Sequence, residues 1–182
     1  MNGMKKTFPF TPHWLRNAAQ TGALVSALLL SSSSAGAHEP GENPPSTEQK
    51  LLPATILQLE SARQAAAKYF DVSAATRDGY IDIDVIIPHM GRHLLNPHLL
   101  DDHFDAEKPE LLVYQENGDG TLRLVAVEYA IPTDLSAKAP HGFVGTSDVW
   151  FKDTGFQLWT LHAWVYDFNP DGVFAPNNPR VL

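Results

Sequence analysis

The sequence predicts an α+β domain in which one long helix packs on an antiparallel, strongly curved sheet of four to six strands. Three observations favour this class. Apolar residues recur at helical spacing over 52–70, alternate over 81–87, and flank a glycine-containing turn at 117–120. Helical patterns do not alternate with strand patterns, which argues against a parallel α/β fold. A small closed β-barrel with the helix as a lid is the alternative.

The first 37 residues have the features of an export signal. A basic start precedes an apolar run at 18–30, and Ala35-Gly36-Ala37 matches the small-x-small pattern before a cleavage site. The run is shorter than the roughly 20 residues that a transmembrane helix needs. We therefore expect a signal peptide at 1–37, a flexible lead-in at 38–50, a single domain at 51–182, and a periplasmic or secreted location.

The helix is predicted from apolar residues three and four positions apart, with polar residues between them. Its core-facing residues are predicted to be Leu52, Ile56, Leu59, Ala62, Ala66, Tyr69 and Phe70. Pro53 is compatible with the first helical turn. The turn Arg77-Asp78-Gly79 is expected to end the helical region.

The strands are predicted from alternation and from turn residues. Residues 81–87 form a half-buried strand with Asp82 and Asp84 on its solvated side. The strongest hairpin joins 110–116 to 121–131 through the turn at 117–120. Further strands are expected around 146–152 and over 156–168, the latter apolar on both sides as in a central strand.

The segment 88–103 holds four of the eight histidines of the chain. Pro88, Gly91 and Pro97 argue against a regular helix there, so we expect an ordered loop at the edge of the sheet. Imidazole is the commonest metal ligand among side chains. His89 and His93 are better candidates than His98 and His103, which lie in an acidic, solvated stretch.

Two charged or polar residues interrupt apolar rows and are the most informative positions. Glu128 shares the alternating row of Leu122, Leu124 and Ala126, so it should point inward. His162 lies in the middle of an aromatic row. A buried carboxylate must be neutral, hydrogen-bonded, ion-paired or metal-bound.

The economical interpretation is that His93, Glu128 and His162 converge on one metal ion, with His89 as a fourth ligand. Zn and Cu are the favoured divalent ions, because the chain has no cysteine and must use nitrogen and oxygen donors. No nucleotide cofactor is expected. The simpler alternative is that Glu128 accepts a hydrogen bond from Tyr69, Tyr129 or Arg92.

Charge narrows the class of partner. The chain has 13 basic and 21 acidic residues, and loss of Lys5, Lys6 and Arg16 with the signal leaves 10 basic residues against 21 acidic. Binding to nucleic acid or stable attachment to anionic lipid is therefore not expected. A metal ion or a small molecule remains the expected partner.

Several motifs together resemble a family of small exported bacterial proteins of unknown function. They are His89-Met90-Gly91-Arg92-His93, Pro109-Glu110-Leu111-Leu112-Val113-Tyr114, Leu124-Val125-Ala126-Val127-Glu128-Tyr129, Leu161-His162-Ala163-Trp164 and the run at 169–175. Residues 89–131 are also similar to the oil-body-associated protein family. The first resemblance implies that His93, Glu128 and His162 belong together, and it implies no activity. Relatives carry an aromatic residue where Leu94 stands.

Three hypotheses for function follow. The first is an exported metal-binding protein with a His/Glu site, as a hydrolase, an oxygenase or a binding protein. The second is a non-enzymatic module that holds an apolar ligand in an aromatic concavity of Trp150, Trp159, Trp164 and Phe168. The third is a copper site at the mature amino terminus, through the amine and imidazole of His38. The segment after His38 offers that site no rigid support.

Overall fold

A single antiparallel sheet is the frame of the computed structural model, which describes residues 51–182. Its strands are β1 (Ile81–Ile87), β2 (Gly91–Leu95), β3 (Leu111–Glu116), β4 (Leu122–Pro132), β5 (Phe151–Asp153) and β6 (Leu158–Ala163). The spatial order is β1-β2-β3-β4-β6-β5, so β1 and β5 are the two edges. The sheet is a curled half-barrel with open edges, and the closed-barrel alternative is not adopted.

The helical region precedes the sheet and is shorter than one long helix. Helix α1 (Pro53–Ala66) has 14 residues and Pro53 in its first turn, as its sequence predicts. A 3₁₀ turn (Ala67–Phe70) and a short helix α2 (Val72–Arg77) follow. The Asp71 carboxylate accepts the Ser73 N–H and so caps α2. The α+β class is confirmed, with a broken helical segment in place of the predicted single helix.

The helices pack on one side of the sheet, which we call the helical face. Its core contains Ala66, Tyr69, Leu112, Tyr114 and Tyr129 together with other buried apolar residues. Part of the predicted helix face is wrong: Leu52, Ile56 and Phe70 are 49%, 52% and 57% exposed. The buried positions of α1 are Thr55, Ala62 and Ala66, and the Thr55 hydroxyl donates to the Val144 carbonyl in the loop between β4 and β5.

The opposite side of the sheet, which we call the concave face, carries a smaller apolar cluster. Its buried members are Val113, Val125, Ala126, Trp164 and Val181. The last of these belongs to a covering segment, residues 175–181. The Trp164 indole N–H donates to the carbonyl of Ala175 at 2.6 Å. The covering segment therefore closes part of the concave face.

Two bulges explain why the sheet curls. In β1, Asp82 pairs with Leu94 and Val85 with His93, so two extra residues lie between these pairs. In β4, Val125 is an extra residue between the partners of Val113 and Tyr114. Bulges bend a strand and increase its twist. The second bulge also breaks the predicted row, because Leu124 packs on the helical face and Ala126 on the concave face.

Several predicted boundaries are corrected. The histidine segment is not wholly a loop, because a hairpin turn occupies 88–90 and β2 begins at Gly91. Met90 N–H donates to the Ile87 carbonyl across that turn. The strand predicted around 146–152 is only Phe151–Asp153, and the one predicted over 156–168 is Leu158–Ala163. The hairpin of β3 and β4 is present as predicted.

The predicted signal peptide and lead-in, and with them His38, lie outside the described residues. Within 51–182, no helix is long and apolar enough to cross a membrane.

Candidate metal centre

Three neighbouring parts of the sheet place three metal-ligating side chains on the concave face. Glu128 of β4 and His162 of β6 are directly opposite each other in the antiparallel register. Residues paired in this way have Cβ atoms about 4.5–5.5 Å apart. Their side chains therefore meet as a consequence of strand register.

His93 reaches the same point from β2, on the other side of β3. Strands β2 and β4 are second neighbours, which lie about 9.6 Å apart in a flat sheet. Yet His93 Nε2 is 3.5 Å from Glu128 Oε2. The curvature of the sheet tilts the two side chains toward each other over β3. The same bulges that curl the sheet therefore assemble the site.

The distances among the three groups fit metal coordination better than hydrogen bonding. His162 Nε2 is 3.6 Å from Glu128 Oε1, and one ligand atom from each residue lies within 4.8 Å of the others. Hydrogen bonds between such atoms are about 2.7–3.2 Å long. Ligands at about 2.0–2.2 Å from a tetrahedral Zn²⁺ are separated by about 3.3–3.6 Å. The spacing is compatible with three ligands around one cation.

All three side chains are withdrawn from solvent. His93, Glu128 and His162 are 3%, 5% and 4% exposed. Ionised carboxylates are rarely buried to this degree without a cation or hydrogen-bond donors. Both Glu128 oxygens face an imidazole nitrogen, and neither contact is short enough to be a hydrogen bond.

The hydrogen bond of His93 decides which of its nitrogens is free. Its Nδ1 lies 3.1 Å from the backbone carbonyl of Val85. A carbonyl only accepts, so Nδ1 carries the proton and Nε2 of the neutral ring presents a lone pair. Metal-bound histidines commonly donate their other N–H to a carbonyl in this way, which fixes the ring. Val85 occupies that place because of the β1 bulge.

The surroundings of His162 favour its neutral form. Burial lowers its pKa below the ordinary value; the Glu128 carboxylate opposes this shift, and His93 adds to it. Among residues 51–182, its Nε2 has no hydrogen-bond partner. The ring stacks on Trp164 with centroids 6.0 Å apart and planes inclined by 14°. Packing therefore orients His162, while its nitrogen stays available.

The structure does not place His89 with the other three. His89 is exposed on the β1–β2 turn, and its φ of +65° is unusual for a residue other than glycine. Its Nδ1 is 3.1 Å from the Val181 carbonyl, and its own carbonyl accepts the Asn178 N–H at 2.7 Å. His89 thus anchors the covering segment instead of completing the ligand set.

The other histidines of the segment are exposed. His103 lies beside Asp101 and Asp102, and these three form the other candidate ligand group in the described part of the chain. All three are exposed and turn-forming. His98 is exposed as well. Neither histidine contributes to the buried group.

The simpler explanations for Glu128 are absent from the structure. The Tyr129 hydroxyl donates to the Ala106 carbonyl, and the Tyr69 hydroxyl donates to Asp78. Arg92 pairs with Asp82 and with Glu116. Each candidate donor is committed elsewhere.

A second buried carboxylate, Glu110, was not predicted as a special residue. It is 3% exposed, and its Oε2 accepts the Ala130 N–H at 3.0 Å. Burial raises its pKa to about 8. The sequence pattern indicates that Glu110 points inward, because Glu110 alternates with Leu112 and Tyr114, two residues of the helical-face core.

The aromatic concavity proposed for an apolar ligand is not formed. Trp164 is buried on the concave face, whereas Trp150 packs against the helical-face core. Trp159 donates to the Ser136 carbonyl, and Phe168 is 71% exposed. Trp150 lines a cavity in the loop 139–150.

Comparisons of the chain with protein-family models, with curated proteins and with solved structures find no match.

Proposed function

We propose that this domain binds one divalent transition-metal ion through His93 Nε2, His162 Nε2 and a carboxylate oxygen of Glu128. One observation carries the proposal: the two oxygens of the buried Glu128 carboxylate lie 3.5 Å from His93 Nε2 and 3.6 Å from His162 Nε2 without a hydrogen bond, and His162 Nε2 has no other partner among residues 51–182. Such an arrangement is unfavourable for the protein alone, because these groups have lost their water without gaining a hydrogen bond. A cation between them reverses the sign of that interaction.

The donor set narrows the choice of metal. Two imidazoles and one carboxylate suit Zn²⁺, Cu²⁺ and Fe²⁺, whereas Ca²⁺ and Mg²⁺ prefer oxygen ligands alone. The chain has no cysteine to recruit a softer metal. Affinity for such sites generally rises to Cu²⁺ and remains high for Zn²⁺. We propose Zn²⁺ or Cu²⁺.

Three protein ligands leave room for a fourth ligand. A metal in such a site can lower the pKa of a bound water to about 7 and make it a nucleophile at neutral pH. The residues of the chain hold the ion, orient both rings through Val85 and Trp164, and exclude bulk water. The burial of all three ligands restricts any reaction at the metal to small molecules. We therefore propose, more specifically, that the domain is a metal-dependent enzyme.

The test is metal binding by untagged protein purified without chelators. We expect one ion per chain by mass spectrometry, and calorimetric binding of Zn²⁺ or Cu²⁺ to the stripped protein. His93→Ala, Glu128→Gln and His162→Ala should each weaken binding by more than about 100-fold. His98→Ala and His103→Ala are matched controls, because they remove exposed imidazoles from the same segment.

Two outcomes would contradict the proposal. One is substoichiometric metal together with no binding heat. The other is equal loss of binding in His103→Ala and His162→Ala, which would show adventitious binding to surface histidines. Nitrogen NMR of the stripped protein then reports whether a proton joins Glu128 to one imidazole instead.

We also infer that the chain is exported, from the signal-peptide pattern at 1–37. Amino-terminal sequencing of protein recovered from the periplasm or medium tests this, with His38 as the expected first residue. Protein that keeps its first dozen residues would contradict it.

A further inference from the structure

A separate cavity lies in the loop that connects β4 to β5. Its volume is 580 Å³, within the range of about 300–1,000 Å³ typical of small-molecule pockets. Its principal lining residues are His141, Gly142, Phe143, Asp148, Val149 and Trp150. None of the three residues of the metal centre lines it.

The cavity wall carries a carboxylate without a lysine or arginine partner. The lining includes Asp148 and no lysine or arginine. Burial raises the pKa of Asp148, while backbone N–H groups and the charge of His141, which also lines the cavity, oppose the shift. No ion pair of residues 51–182 involves Asp148. A cation entering the cavity would compensate the charge.

The indole of Trp150 stands beside that carboxylate. A Cβ on Gly142 would lie 2.2 Å from Asp148 Oδ2 and 2.9 Å from Trp150 Nε1, so both groups meet at this glycine. The indole N–H is buried, so it is not the part of Trp150 that lines the cavity. Tryptophan is the best aromatic partner for a cation.

The rim of the cavity is apolar. Val144 and Val149 are 50% and 62% exposed although both are hydrophobic. They offer contact for the hydrocarbon part of a ligand. The net charge of the chain, −8, favours a cation over an anion at long range.

We propose that this cavity binds a small organic ammonium ion, with Asp148 as its counter-ion and the Trp150 ring and the valine rim as its apolar walls. The alternative is that Asp148 only stabilises its own loop, since its pKa also reflects a hydrogen bond from the Phe143 backbone. In that case charge on a ligand would not matter.

The test compares three probes of similar size on the wild-type protein at pH 8. They are 2-phenylethylammonium, 3-phenylpropan-1-ol and 3-phenylpropanoate, and binding is measured by ligand-observed NMR and calorimetry. We expect the ammonium ion to bind about tenfold more tightly than the alcohol, and the carboxylate not to bind. Equal affinity for ammonium ion and alcohol, or no binding of the ammonium ion, would overturn the proposal.

Variants locate the site. Asp148→Asn should remove the preference for the ammonium ion, whereas Asp171→Asn, which removes an exposed charge elsewhere, should leave it intact. If Asp148→Asn does not fold, Val149→Lys serves instead, because Val149 is 62% exposed and tolerates a polar residue. The introduced ammonium should weaken probe binding about fivefold. Unchanged probe binding in the folded variant would overturn the proposal.

Discussion

The two faces of the sheet treat buried polar groups in opposite ways. On the helical face, the hydroxyls of Tyr80, Tyr114 and Tyr129 each donate to a backbone carbonyl. The buried acid near them, Glu110, accepts a backbone N–H. On the concave face, Glu128 and His162 face each other without a hydrogen bond.

This difference distinguishes buried polar groups that stabilise the fold from buried polar groups that are available for a function. A buried polar group that has its partner adds about 0.5–1.5 kcal/mol to stability, whereas one without a partner costs about 1–3 kcal/mol. A buried polar group without a partner in the protein persists where a bound ion or molecule supplies that partner. The helical face supplies the partners of these four groups itself, although the Trp150 indole N–H beside it has none among residues 51–182. We propose that a cation completes the concave face. Four measurements test this difference between the two faces.

The largest effect concerns Glu110 and pH. Its folded-state pKa of about 8 lies above the ordinary value of 4.5 for a glutamate, so the folded state holds the proton more tightly. Stability from this group is full below the unfolded pKa and falls as pH rises toward 8. We expect urea denaturation to show about 3 kcal/mol less stability at pH 8 than at pH 5. Glu110→Gln should remove that difference, and an unchanged pH dependence would mean that Glu110 is solvated.

The second effect is metal-linked stability. Zn²⁺ at about 100 times its dissociation constant should raise the free energy of unfolding by about 2.7 kcal/mol. His162→Ala should abolish the increase, and His103→Ala should retain it. Thermal denaturation with and without metal measures both. Stabilisation that persists in His162→Ala would place the ion elsewhere.

The third effect tests whether the helical face depends on its paired hydroxyls. Tyr114→Phe leaves the Tyr69 carbonyl without its buried donor, and should cost about 1.5 kcal/mol in urea denaturation. Tyr166→Phe removes a similar bond to the Arg63 carbonyl at an exposed position and should cost less than about 0.5 kcal/mol. Equal costs would show that burial does not set the value of these bonds.

The smallest effect is the most specific. In metal-free protein, Glu128→Gln introduces an amide that can donate to the neighbouring imidazoles, so stability should change by less than about 0.5 kcal/mol or increase. The same variant should lose metal binding. Chemical denaturation in the presence of a chelator measures the stability. A large loss would mean that the Glu128 carboxylate already has a structural partner.

Local pattern predicted much of the fold. The hairpin of β3 and β4 followed from alternation on both sides of a turn with two glycines, and α1 from helical spacing. The break after Ala66 was missed, because the apolar spacing continues across the 3₁₀ turn. Strand β2 was missed because Pro88 and Gly91 signal a turn equally well at a hairpin and in a loop.

The candidate site was predicted in part from strand geometry. Glu128 and His162 interrupt rows of alternating apolar residues, and alternation along a strand indicates to which face a side chain points. Alternation along β4 is interrupted, since the Val125 bulge moves Leu124 to the helical face. The separation of His89 from the other three depends on the turn conformation and on Asn178 and Val181, which lie 89 and 92 positions further along the chain. Short-range pattern carries no such information.

The covering segment has a consequence for the order of events during synthesis. Residues 175–181 follow β6 in the chain, so all six strands leave the ribosome before the segment that packs on Trp164 and His89. A nascent chain therefore has His93, Glu128 and His162, the three proposed metal ligands, while the concave face is still uncovered. An ion can enter at this stage without displacing any part of the finished fold.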